Sequence, residues 1–91
     1  MSVPNVKPIQ VHMPEDMLNH AVECCREALQ NFSDEKDMAA HIKSQFDAQY
    51  NPNWHCILGR QFGSYVQYEE NHFVELRAGP LDIVLFKTAR T

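Results

Sequence analysis

The sequence predicts an α+β domain in which two helices pack on one face of an antiparallel β-sheet. Three observations carry that expectation. A short alternating stretch, Ile9, Val11 and Met13 against Gln10 and His12, opens the pattern. Two apolar stripes at helical spacing follow it. Extended runs rich in aromatic and β-branched residues then fill the chain from Trp54 onward.

Residues 1–8 hold two prolines and few apolar groups, so a frayed start is expected before the strand around Ile9 to Met13. Pro14 suits the first turn of a helix, and Glu15 and Asp16 put negative charge at its positive end. Met17, Ala21, Cys24 and Ala28 form one stripe, and Leu18, Val22, Cys25, Leu29 and Phe32 the next. That width predicts a mostly buried helix. Ser33 or Asp34 caps a second helix, with Glu35 and Asp37 early in it. Its stripe of Met38, Ile42 and Phe46, with Ala39 and Tyr50 alongside, is narrower, so it covers the sheet and keeps one flank in water. Pro52 ends it by pushing Asn51 out of the helical region.

Trp54, Cys56 and Leu58 alternate with His55 and Ile57 as a strand, Gly59 and Arg60 read as a turn, and Phe62 to Tyr68 is a second extended run. Gly63 and Ser64 leave the backbone of that run bare. Bare backbone flanked by rings is suited to accepting another strand. Glu69, Glu70 and Asn71 make a polar turn, and Phe73–Ala78 pairs with Leu81–Lys87 through Gly79-Pro80. This register sets Arg77 opposite Asp82, Leu76 opposite Ile83 and Val74 opposite Leu85. Phe73, Val84 and Phe86 then stand on the far face beside Glu75, Arg77 and Asp82. A half-apolar face on so small a domain predicts a homodimer.

Ninety-one residues suit one domain spanning 1–91. Three cysteines cannot form a fully paired framework and lack zinc-type spacing, which points to a reducing, intracellular setting. No apolar run approaches the ~18 residues of a membrane span, and no signal-peptide core follows Met1, so no membrane insertion is expected. A net charge of −4 argues against nucleic acid as a partner.

Chemistry-bearing residues are sparse. His12, His20, His41, His55 and His72 are scattered without the spacing of a metal site, and no cofactor is expected. His55 and Cys56 are adjacent on a strand and so point to opposite faces. His72 could reach Cys56, but Cys24, Cys25 and Cys56 read as apolar core rather than as nucleophiles. Gly59 and Gly63 match no phosphate-binding fingerprint and read as a tight turn and an uncrowded strand. His55 is either exposed or covered by a partner subunit. In the second case its protonation at about pH 6 would favour monomers. Lys36 sits in the first turn of a helix, against the dipole preference, and invites a role.

Lys36-Asp37-Met38-Ala39-Ala40-His41-Ile42-Lys43, Tyr50-Asn51-Pro52, Trp54-His55-Cys56-Ile57, Gly59-Arg60, Phe62-Gly63-Ser64-Tyr65-Val66, His72-Phe73 and Leu85-Phe86-Lys87 resemble the smallest class of cytoplasmic dynein light chain. The similarity runs from about Met13 to Lys87. It implies a non-enzymatic homodimer in which the Phe62–Tyr68 strand is exchanged into the partner's sheet. Short linear segments of other proteins, often containing Thr-Gln-Thr and including dynein intermediate chain, would then add as an antiparallel strand. The resemblance also implies work in the cytoplasm, on the microtubule cytoskeleton.

Carried over to this chain, Phe62, Gly63, Ser64, Tyr65 and Val66 would supply the ladder and its walls, and Lys36, beside Glu35, would meet the client's glutamine. Phe73 would floor the groove. His55, with Ser64, Tyr65 and Val66, would lie at the dimer interface. The chain departs from the family at Gln67 and Tyr68, where relatives carry threonine and histidine. It departs again at Glu75, Arg77 and Asp82, where they present tyrosines and a small residue. These five positions are expected to keep the fold while shifting the groove toward polar ligands.

Overall fold

A computed structural model describes residues 4–60, 62–64 and 66–88. The element order is β1 (Val6–His12), α1 (Glu15–Asn31), α2 (Glu35–Tyr50), β2 (Trp54–Arg60), β3 (Phe73–Ala78) and β4 (Leu81–Lys87). The strands form one antiparallel sheet in the order β1-β3-β4-β2. Both helices cover one face, as the sequence predicts. Ala21, Cys24, Cys25 and Ala28 of α1 and Met38, Ile42 and Phe46 of α2 pack with Trp54, Val74, Leu76, Ala78, Ile83 and Leu85.

Local chemistry sets the element boundaries. Pro14 occupies the N-cap of α1, with Glu15 and Asp16 in the first turn. Asp34 caps α2, its carboxylate accepting the Lys36 backbone N–H at 2.9 Å. Asn51, with φ 69°, turns the chain out of α2. The β3–β4 hairpin has the expected register, with Arg77 opposite Asp82 and Leu76 opposite Ile83. Gly79 carries the positive φ of 59° that the first loop position needs. Pro80, locked at negative φ, then suits the second position of a type II′ turn.

Four expectations are corrected. The start is not frayed as far as residue 8, because β1 begins at Val6 and pairs along β3. Gly59 and Arg60 are no turn but the end of β2, opposite Asp82 and Leu81 of β4. Helix α1 is amphipathic rather than mostly buried: Glu23, Arg26 and Glu27 are exposed, and Phe32 falls outside the helix as an exposed C-cap. The run Phe62–Tyr68, expected as a strand, forms no ladder within its own chain among the described residues. Its aromatic and β-branched residues favour extended backbone. Among the described residues, what it lacks is a strand beside it.

Candidate functional site

The far face of the sheet is built in rows. Register places Lys7, Arg77, Asp82 and Gly59 side by side, then Gln10, Glu75, Val84 and Ile57, then His12, Phe73, Phe86 and His55. Phe73, Val84 and Phe86 are buried there although no helix covers them. The cover is the ribbon between β2 and β3, through Phe62, Val66 and Tyr68. The Phe62 ring lies over Gly59, at ordinary contact distance from where a Cβ would stand, 3.6 Å.

The ribbon is held at its far end. Glu69 donates its backbone N–H to Lys87 O at 2.8 Å, and Lys87 donates to His72 O at 3.0 Å. The Glu69 carboxylate also meets Lys87 Nζ at 3.4 Å. Arg60 stands beside the first residue of β4 and Glu69 beside the last, so the ribbon crosses the sheet's full length between two fixed points. Gly63 and Ser64, between them, are exposed. A Cβ built on Gly63 would meet nothing within 4 Å, so its backbone is open to approach.

A cleft of about 230 Å³ opens between ribbon and sheet, lined by Gln10, Ser64, Val66, Tyr68, Phe73 and Glu75. Tyr68 stacks on Phe73 with ring centres 4.6 Å apart, and His12 lies 5.9 Å from each. Gln10 Nε2 donates to His12 Nε2 at 3.0 Å. Glu75 is half-buried and makes no hydrogen bond or ion pair among the described residues. Its neighbour Arg77 is engaged instead by Asp82, Nε to Oδ1 at 2.8 Å, a contact that raises the guanidinium pKa above its ordinary value. The two groups that sequence register sets opposite each other are therefore bonded.

The structure divides the expected site residues. Ser64, Val66, Tyr68, Phe73 and Glu75 meet at the cleft, with Phe62, Arg77 and Asp82 on the same face. Gln67 is exposed on the ribbon. Glu35 and Lys36 stand apart, exposed at the start of α2, where Glu35 reaches Arg60 at the end of β2 at 4.0 Å. Tyr65 lies outside the described residues. His55 stacks on Phe86 with centres 5.3 Å apart and is exposed, its Nε2 3.3 Å from Thr88 Oγ1. Gln10 was missed as a lining residue, and His12 as the ring beside Tyr68 and Phe73. Their alternation in sequence signals a strand face, but only the pairing of β1 beside β3 brings that face to the cleft.

Asp47 was also missed. It ties α2 to β2 by accepting the Trp54 backbone N–H at 2.8 Å and pairing with Lys43. Burial pulls its carboxyl pKa upward, but the Lys43 ammonium and the Trp54 amide outweigh that and hold it below the usual carboxylate range. The thiols behave oppositely. Burial pushes Cys24 up to about 11 and Cys25 and Cys56 up to about 12. No three His, Cys, Asp or Glu side chains gather as a metal site among the described residues, where no helix is long and apolar enough to cross a membrane.

A family model described as dynein light chain type 1 matches residues 5–88. Among solved structures, the chain is similar to the dynein light chain-like domain of Fasciola hepatica calcium binding protein FhCaBP2. A mercury derivative of that domain superposes with a TM-score of 0.80 at 21% identity, covering 94% of each chain. A native form gives 0.76 at 22% identity, over 94% of this chain and 93% of that one. The DLC like domain of CsTAL3 gives 0.68 at 13% identity over 96% of both. At such identities the likeness is one of fold.

Proposed function

This chain belongs to the dynein light chain family, and from that premise we propose that it is a non-enzymatic, homodimeric hub that binds short linear segments of other proteins by strand addition. The observation that carries the proposal is the ribbon. It is fixed at its far end, has no strand beside it among the described residues, and is open at Gly63. A segment laid along such backbone gains main-chain hydrogen bonds whatever its sequence, while pockets for alternate side chains give selectivity. The outer edge of β2 is likewise unladdered among the described residues, and a ribbon from a second copy would fit there.

In this reading Phe62, Gly63, Ser64, Tyr65 and Val66 carry the ladder, Lys36 and Glu35 meet the client's polar side chains, and His55 lies between subunits. Two grooves on one dimer holding two copies of a client would gain by effective concentration, on the order of 10²-fold or more. Chemistry is not required of such a clamp. The raised thiols support that view, since a nucleophilic cysteine needs the thiolate form. The proposed setting is that of an accessory light chain of dynein motors in the cytoplasm and on microtubules, with dynein intermediate chain among its clients.

A second reading keeps the dimer and the groove but assigns them to assemblies other than dynein. It is favoured by Glu75, Arg77 and Asp82, which replace the aromatic and small residues expected of the groove.

Sedimentation combined with titration of a labelled Thr-Gln-Thr peptide tests both. A dimer that binds the peptide, and a dynein intermediate chain segment with it, supports the first reading. A dimer that binds Thr-Gln-Thr poorly and ignores that segment supports the second. A monomer that binds neither ends the proposal.

A further inference from the structure

We infer that the cleft beside Glu75 selects clients by a basic side chain, arginine before lysine, inserted between the ribbon and the sheet. The inference rests on the strand-addition reading above and adds to it the chemistry of the residue that is read.

At about 230 Å³ the cleft is below the roughly 300 Å³ at which pockets begin to hold whole small-molecule ligands, so it suits one side chain. Its polar wall is a carboxylate without a cationic partner among the described residues. The nearest candidate partner on its own strand, Arg77, is committed to Asp82 at 2.8 Å. Gln10 adds an acceptor: one amide N–H goes to His12, and its carbonyl oxygen can take an N–H from a guest side chain.

The other walls are rings, Tyr68 and Phe73 stacked at 4.6 Å with His12 beside both. Aromatic faces attract cations through the ring quadrupole. An apolar client side chain would desolvate Glu75 with nothing in return, and an acidic one would be repelled by it. A guanidinium satisfies the rings and the carboxylate together, because its plane stacks while its fork donates. The chain's net charge of −4 also favours basic segments at long range.

The test is fluorescence anisotropy on the intact protein, with short labelled peptides sharing a Thr-Gln-Thr core. Arginine, glutamine or glutamate is placed in turn at each flanking position. One position is expected to favour arginine over glutamine by ~10-fold, the scale of one added charged hydrogen bond, with glutamate weakest. Glu75→Gln is nearly isosteric on a half-exposed site and should remove the preference while peptides still bind. Glu75→Lys should reverse it toward glutamate. Peptides that bind with no arginine preference, or a preference that survives Glu75→Gln, overturn the inference and leave strand addition standing. If no peptide binds a folded protein, strand addition fails and this inference with it.

Discussion

Asp47 offers the sharpest check on how the helical layer is joined to the edge strand. Its carboxylate holds the first amide of β2 at 2.8 Å and pairs with Lys43 across one turn of α2. Asp47→Ala orphans the Trp54 N–H beside a fully buried indole, so the cost is that of a lost charged hydrogen bond, about 1.5–3 kcal/mol. The Lys43 contact adds little, since its side chain is 44% exposed and solvent screens it. Asp47→Asn keeps an acceptor and loses only the charge, so about 0.5–1 kcal/mol is expected. At roughly 4–8 °C per kcal/mol for a domain of this size, the alanine variant should melt about 6–24 °C lower and the asparagine variant about 2–8 °C lower.

The pH dependence has a definite sign. The folded carboxyl pKa lies below its unfolded value, so its stabilisation is complete above the unfolded pKa of about 3.9 and is lost as pH falls through the folded pKa. Urea unfolding followed by Trp54 fluorescence at neutral and strongly acid pH measures this. The gap between wild type and Asp47→Asn should close toward acid. A gap that persists at the acid end, or an asparagine variant as unstable as the alanine one, would refute the argument.

Other perturbations test other parts. Gly79→Ala should cost ~1 kcal/mol in denaturant melts, because a Cβ there meets only ordinary contacts at 3.5 Å while φ stays at 59°. Iodoacetamide at neutral pH should label Cys24, Cys25 and Cys56 far more slowly in folded than in unfolded protein, as raised thiol pKa values and burial both require. Phe46→Ala, which removes a fully buried ring packed edge-on to Trp54 with centres 4.8 Å apart, should cost roughly 3–5 kcal/mol.

The parts of the fold that were legible are those fixed by local periodicity. The stripes of α1 and α2 and the two-residue loop at Gly79-Pro80 settle which face each helix buries and how β3 meets β4. Strand β1 was harder. Ile9, Val11 and Met13 alternate in sequence, yet the register slips between Pro8 and Gln10, so Ile9 has no partner on β3 and is exposed. A bulge changes the parity of a strand, and composition does not announce it. The cleft was only half legible. Phe73 and Glu75 declare a shared face by alternation, whereas Gln10 reaches them through pairing between strands far apart in sequence. Asp47 was hidden for a similar reason: on a helix it reads as a solvated acid, and the amide it holds belongs to the next element.

The two margins of the sheet are unlike. Along β1, Pro8 has no N–H to offer and the slip at Ile9 spoils the spacing, so a newcomer finds broken teeth. Along β2, seven residues from Trp54 to Arg60 run without interruption, with Ile57 facing water. Such a lopsided sheet can be extended from one side and is blunted on the other. In the proposed dimer it is this margin, and not β1, that a second copy's ribbon would take.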